Sequence, residues 1–142
     1  MKTQGVVLSL AVSDATRSHD FYREVLGADS VRLDMGIVGI ELPGIMLFLA
    51  EVADFTKYSR EAKRSPLLPV PASDALLSCA IASTGEVDEI LSVVKAAGGR
   101  TFEPHEIPHA SGRLQYVGTF TDPDGHLWQL VCNLTDAQDA AN

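Results

Sequence analysis

Larger apolar residues alternate with small ones over residues 6–12. Leu8, Leu10 and Val12 take one phase, and Ser9 and Ala11 take the other. A period of two predicts a strand with two unlike faces. Ser13 or Asp14 can then cap a helix. Phe21, Tyr22, Val25 and Leu26 give that helix an apolar stripe, and Gly27 stops it. Three short strands follow, over 31–34, 37–42 and 45–50. Met35-Gly36 forms the first turn between them. Pro43-Gly44 forms the second, with proline and glycine at the central positions of a type II turn.

The pattern then starts again near Leu76. Leu77, Cys79 and Ile81 alternate with Ser78, Ala80 and Ala82. Ser83 and Glu86 make a capping box. Val87, Ile90, Leu91 and Val94 continue at helical spacing until Gly98-Gly99. Strands fit 100–102, 114–121 and 126–132. Asp122-Pro123-Asp124-Gly125 has proline second and glycine fourth, as a type I turn prefers. The order is βαβββ, a linker, then βαβββ. Leu26-Gly27-Ala28 and Ala97-Gly98-Gly99 occupy corresponding places, as do Gly44 and Gly125. The expected organisation is one domain made of module one (5–50), a linker (51–74), module two (75–133) and a polar tail (134–142). The linker reads as a short helix over 54–63 and a stiff segment at Pro66, Pro69 and Pro71. The second copy is longer by a loop over 103–113.

With a net charge of -8 and a pI near 4.8, the chain lacks the basic surface that nucleic acid requires. Lys57, Arg60, Lys63 and Arg64 form the only basic cluster, and their spacing suits a solvated helix face. No apolar run reaches the roughly 18 residues of a membrane span. The expected location is the cytoplasm, and no signal peptide is read at the start. Cys79 and Cys132 are too few for a disulfide scaffold, and read as buried thiols on the helix-facing phase of neighbouring strands.

The opening Leu10-Ala11-Val12-Ser13-Asp14, the run Phe21-Tyr22-Arg23-Glu24-Val25-Leu26-Gly27 and the closing Asp122-Pro123-Asp124-Gly125-His126-Leu127-Trp128 stand at the two ends of a duplicated pattern. The chain thereby resembles the vicinal oxygen chelate superfamily, the glyoxalase, bleomycin-resistance and extradiol dioxygenase group. The likeness covers nearly the whole length and is most like the glyoxalase-like proteins. It implies an α+β fold in which two βαβββ modules form curled mixed sheets around a cavity, often in a homodimer.

Catalytic members of that superfamily hold one divalent metal with side chains from the first and last strands of the modules. The matching positions here are Val7, Phe48, Leu76 and Gln129. Three are hydrocarbons, whereas a catalytic metal normally has about three protein ligands. No metal and no cofactor are therefore expected. The resemblance then implies a small-molecule-binding protein that encloses an apolar or cationic ligand. Strand phase gives the cavity-facing set: Ser9, Ala11, Met46, Phe48, Ser78, Ala80, Gln115, Val117, Thr119, Leu127 and Gln129. Whether the chain is an enzyme stays open. The alternative is a metal-dependent lyase or isomerase like lactoylglutathione lyase, or a dioxygenase. Its displaced ligands would lie among Glu103, His105, Glu106 and His109. No catalytic residue is assigned.

Overall fold

Two copies of one topology account for the described chain. The computed structural model describes residues 1–134, so most of the tail expected from 134 lies outside the described residues. The first copy runs β1 (Val7–Val12), α1 (Ala15–Leu26), β2 (Val31–Asp34), β3 (Ile37–Leu42) and β4 (Ile45–Glu51). Then come α2 (Val52–Ser59) and a short 3-10 turn, Arg60–Ala62. The second copy runs β5 (Leu76–Ala80), α3 (Thr84–Ala96), β6 (Arg100–Pro108), β7 (Leu114–Thr121) and β8 (Leu127–Asn133). The sheets are ordered β1-β4-β3-β2 and β5-β8-β7-β6. In each, the first strand pairs parallel with the last, and the other pairs are antiparallel. Both sheets are mixed and open, and the α+β, two-module architecture is the one the periodicities predict. The chain divides into two compact units, Met1–Ala72 and Ser73 onward.

Local chemistry explains the element boundaries. Asp14 caps α1 by accepting a hydrogen bond from Arg17 N at 3.1 Å, and Ser83 caps α3 by accepting from Glu86 N at 3.2 Å. Caps of this kind are worth about 1 kcal/mol each. Glu51 Oε1 accepts a further bond from Ala15 N at 3.1 Å, so the end of β4 holds the start of α1. Gly27 and Gly98 end the helices at φ 95° and 99°, a region open to glycine and costly for other residues. Asp122 Oδ1 accepts from Asp124 N, Gly125 N and His126 N at 2.9–3.0 Å, which pins the turn before β8.

Each unit buries one face of its sheet against its helix. In the first, Phe21 and Tyr22 of α1 are buried together with Val38, Ile40, Leu47 and Leu49 of the sheet. In the second, Val87, Leu91 and Val94 of α3 are buried with Phe120, Trp128 and Leu130. Trp128 and Phe120 are direct cross-strand partners, stacked 5.7 Å apart with ring planes 7° from parallel.

The stretch over 103–113 differs from the expected loop. β6 continues to Pro108, and only the hairpin tip is irregular. Pro104 and Pro108 argue against a strand, because proline cannot donate to a ladder. β6 lies at the sheet edge, however, and its register shifts between Phe102 and His105, so the prolines interrupt no central ladder. The linker helix begins at Val52, two residues before the expected start, and gives way to the 3-10 turn at Arg60.

Candidate functional site

The face of each sheet turned away from its helix carries the candidate site residues. Directly paired residues project to the same face, so strand register decides membership. In the first unit Ser9 pairs with Phe48, which pairs with Gly39. The adjacent row on one side is Val7, Met46 and Glu41, and that on the other is Ala11, Ala50 and Ile37. Ser9, Ala11, Met46 and Phe48 therefore share a face. Ala11 is almost wholly buried, at 4% exposure, whereas Phe48 is 36% exposed. Phe48 lies across its neighbouring strand, its Cε1 only 3.9 Å from where a Cβ on Gly39 would sit.

In the second unit the corresponding row is Ser78, Gln129, Thr119 and Phe102. Leu76, Leu127 and Thr121 form the row on one side, and Ala80, Val131, Val117 and His105 the row on the other. Ser78, Ala80, Val117, Thr119, Leu127 and Gln129 thus share one face. Gln115 lies further along it, where its Nε2 donates to Asn133 Oδ1 at 2.8 Å. The opposite face is identified by Gly118, which pairs with Leu130 and faces Val87 and Leu91 of α3. The outward faces mix apolar side chains with hydroxyls and the amides of Gln115 and Gln129; Glu41, Arg100 and His105 stand in flanking rows, and no charged group stands in the central row.

Phe102 and His105 belong to this face and escape the sequence reading, which ends the strand at Phe102. The available signal is the hydrophobic alternation resuming at Ile107, masked by the bulge. His105 Nδ1 lies 3.3 Å from the Glu103 carbonyl oxygen, and His109 Nδ1 lies 2.8 Å from Ser111 Oγ in the hairpin tip. Among the described residues, no three His, Cys, Asp or Glu side chains in either unit come together as a set able to hold a metal ion. The four positions matched to metal ligands fare no better. Val7, Phe48 and Leu76 carry no donor atom, and Gln129 offers only an amide. These four residues do not fit a catalytic divalent ion.

Cys79 and Cys132 lie on neighbouring strands in the helix-facing phase, as expected, and neither is in a disulfide. Cys132 is buried, and burial pushes the Cys79 thiol pKa up. Cys79 is half-buried rather than buried as expected, and its raised pKa makes it a poor nucleophile at neutral pH. No helix among the described residues is long and apolar enough to cross a membrane.

The model of the glyoxalase/bleomycin resistance protein/dioxygenase superfamily matches residues 5–130. A hypothetical protein from S. aureus has a similar structure, with TM-score 0.72 and 24% identity over 93% of this chain and 95% of its own. So does a glyoxalase-related enzyme from Fulvimarina pelagi, with TM-score 0.70 and 26% identity over 93% and 89% of the two chains. A glyoxalase/bleomycin resistance protein/dioxygenase family enzyme from Burkholderia phytofirmans PsJN gives TM-score 0.71 and 17% identity over 90% and 97%. No curated protein sequence matches the chain at a significant level.

Proposed function

The chain belongs to the glyoxalase/bleomycin resistance protein/dioxygenase superfamily, and from that premise we propose that it is a metal-free, small-molecule-binding member acting in the cytoplasm. It holds a largely apolar or cationic ligand on the outward sheet faces and encloses it rather than transforming it. The observation that carries this reading is the chemistry of the matched positions. Val7, Phe48 and Leu76 replace donors with hydrocarbon, and Gln129 stands between Ser78 and Thr119 as a hydrogen-bonding group in an otherwise uncharged row. A few convergent polar groups within an apolar lining is the composition of small-ligand sites. The net charge of -8 favours a cation over an anion. The ligand-binding set is the one named from strand phase: Ser9, Ala11, Met46, Phe48, Ser78, Ala80, Gln115, Val117, Thr119, Leu127 and Gln129.

Assembly as a homodimer is part of the same reading. Each sheet taken by itself ends in two edge strands, which offer surface for association. Light scattering in solution tests this part directly.

The decisive experiment on function has two steps. Elemental analysis of protein purified without tag or chelator is expected to find far less than one divalent ion per chain. A thermal-shift screen of aromatic and cationic small molecules is then expected to yield hits in metal-free buffer. A ligand at a hundred times its Kd stabilises the folded state by about 2.7 kcal/mol. Near one tightly held ion per chain, or turnover of a hemithioacetal abolished by chelator, would overturn the reading in favour of a metal-dependent lyase.

A further inference from the structure

A recessed site lies on the second unit, between α3 and the edge strand β6. It is a cleft of about 370 Å³, within the size range of small-ligand pockets. Asp88, Ser92 and Lys95 line it from α3, at positions i, i+4 and i+7 on one side of the helix. Phe102, Glu103 and Pro104 line it from β6. The last three span the point where β6 loses register, between Phe102 and His105. A bulge re-aims side chains and bends its strand away from the regular ladder.

The cleft sorts its chemistry by position. Asp88 and Glu103 bring carboxylates from the two walls, and Lys95 brings an ammonium one helical step along from Ser92. Leu91, buried at 7% exposure, gives an apolar floor, and Pro104 adds carbon surface. Asp88 is held in place, because its Oδ1 accepts the Tyr116 hydroxyl at 2.6 Å. The charges of Glu103 and Glu106 also reach that phenol and raise its pKa, after the larger effects of the Asp88 hydrogen bond and desolvation. The carboxylates thus act on a common locus. A lone cation would leave Lys95 opposed, and a lone anion would meet both carboxylates.

We propose that this cleft binds a zwitterionic small molecule of the amino-acid class. The ligand's ammonium faces Asp88 and Glu103, its carboxylate faces Lys95, and its apolar side chain rests on Leu91 and Pro104. The inference stands apart from the outward-face reading, with which it shares no proposed ligand contact.

The test titrates the isotope-labelled full chain with L-phenylalanine, phenethylamine and 3-phenylpropionate, following backbone amide resonances. Shifts are expected over residues 88–95 and 101–104. L-phenylalanine should bind about tenfold more tightly than either singly charged analogue, the scale of one charged contact. Lys95→Met should erase the preference over phenethylamine, and Glu103→Gln the preference over 3-phenylpropionate. Both side chains are exposed, and unchanged melting temperatures will show that the variants fold. Phenethylamine binding as tightly as phenylalanine would overturn the zwitterion assignment. Absent shifts, or shifts confined to the strands around Ser78 and Gln129, would overturn the site.

Discussion

The Tyr116 hydroxyl donates a 2.6 Å hydrogen bond to Asp88 Oδ1, joining the middle of β7 to the first half of α3. Hydrogen bonding to a carboxylate favours the protonated phenol, and desolvation and the charges of Asp88, Glu103 and Glu106 act in the same direction. The Tyr116 pKa is pushed up to about 12 from an ordinary value of 10. Because the folded-state pKa is the higher one, the contribution to stability is complete below pH 10 and is lost as pH rises through about 12. The contact is solvent-accessible, so its worth is small. Absorbance titration of phenolate should show a tyrosine ionising near pH 12 in the folded protein. Asp88→Asn should return that step toward 10. An unshifted step would mean that the hydrogen bond does not persist in solution.

Gly118 and Leu91 set how closely α3 approaches its sheet. A Cβ at residue 118 would lie 2.8 Å from Val87 Cγ1 and 3.0 Å from Leu91 Cδ1. The constraint is one of space, since Gly118 is absent from the positive-φ glycines. Gly118→Ala should therefore destabilise by about 1–3 kcal/mol, the usual range for overpacking. The midpoint of urea unfolding should fall with the slope unchanged. In a Leu91→Ala background the added cost of Gly118→Ala should be smaller, because one of the two close contacts is gone. A neutral Gly118→Ala would show that the helix shifts freely.

The duplicated architecture was legible because both signals that mark it are local. Alternation identified β1 and β5, and the cap residues Asp14 and Ser83 located the two helices to within a residue. The turn glycines Gly44 and Gly125 aligned the copies, and both have positive φ, at 83° and 102°. Register followed, so Phe48 and Gln129 are found opposite Ser9 and Ser78 as the alignment requires. The extension of β6 was not legible. Its prolines are tolerated only because the strand is an edge and bulged, and edge position is a property of the assembled sheet. The α3–β6 cleft was hidden for the same reason, since Glu103 and Pro104 meet Asp88 and Lys95 only after β6 is in place.

Among the described residues, Met35 is the one non-glycine residue with positive φ in a β-hairpin turn, at φ 49°, and Gly36 follows at φ 79°. Two successive positive values define the type I′ turn, which favours Asn-Gly. Met35 is 93% exposed, so its side chain contributes no packing to offset the strain. Met35→Asn should stabilise the protein by about 0.5–1 kcal/mol, the cost of a left-handed conformation for an ordinary side chain being roughly 1–2 kcal/mol. Thermal unfolding would register this as a rise of a few degrees. A fall in melting temperature would mean that Met35 is packed in solution, for example against a second copy.

Gln129 and Phe48 occupy equivalent places in the two copies, and their chemistry separates what each outward face contributes to a ligand. Gln129 pairs with Ser78 and Thr119, so its amide stands in a row able to donate and accept hydrogen bonds. Phe48 pairs with Ser9 and Gly39, and Gly39 leaves the ring lying across bare backbone. For a ligand found by thermal shift, Gln129→Leu should weaken binding by roughly 5- to 30-fold, the equivalent of about 1–2 kcal/mol for one hydrogen bond. Phe48→Ala should cost a similar factor through lost apolar contact, and should reduce the magnitude of the negative heat-capacity change of binding. Gln129→Leu should instead make that change more negative, because leucine buries apolar surface where the amide buried polar surface. Calorimetry on the two variants distinguishes the roles. Equal affinity in both would remove these faces from the binding site, leaving the α3–β6 cleft as the place to look for the ligand.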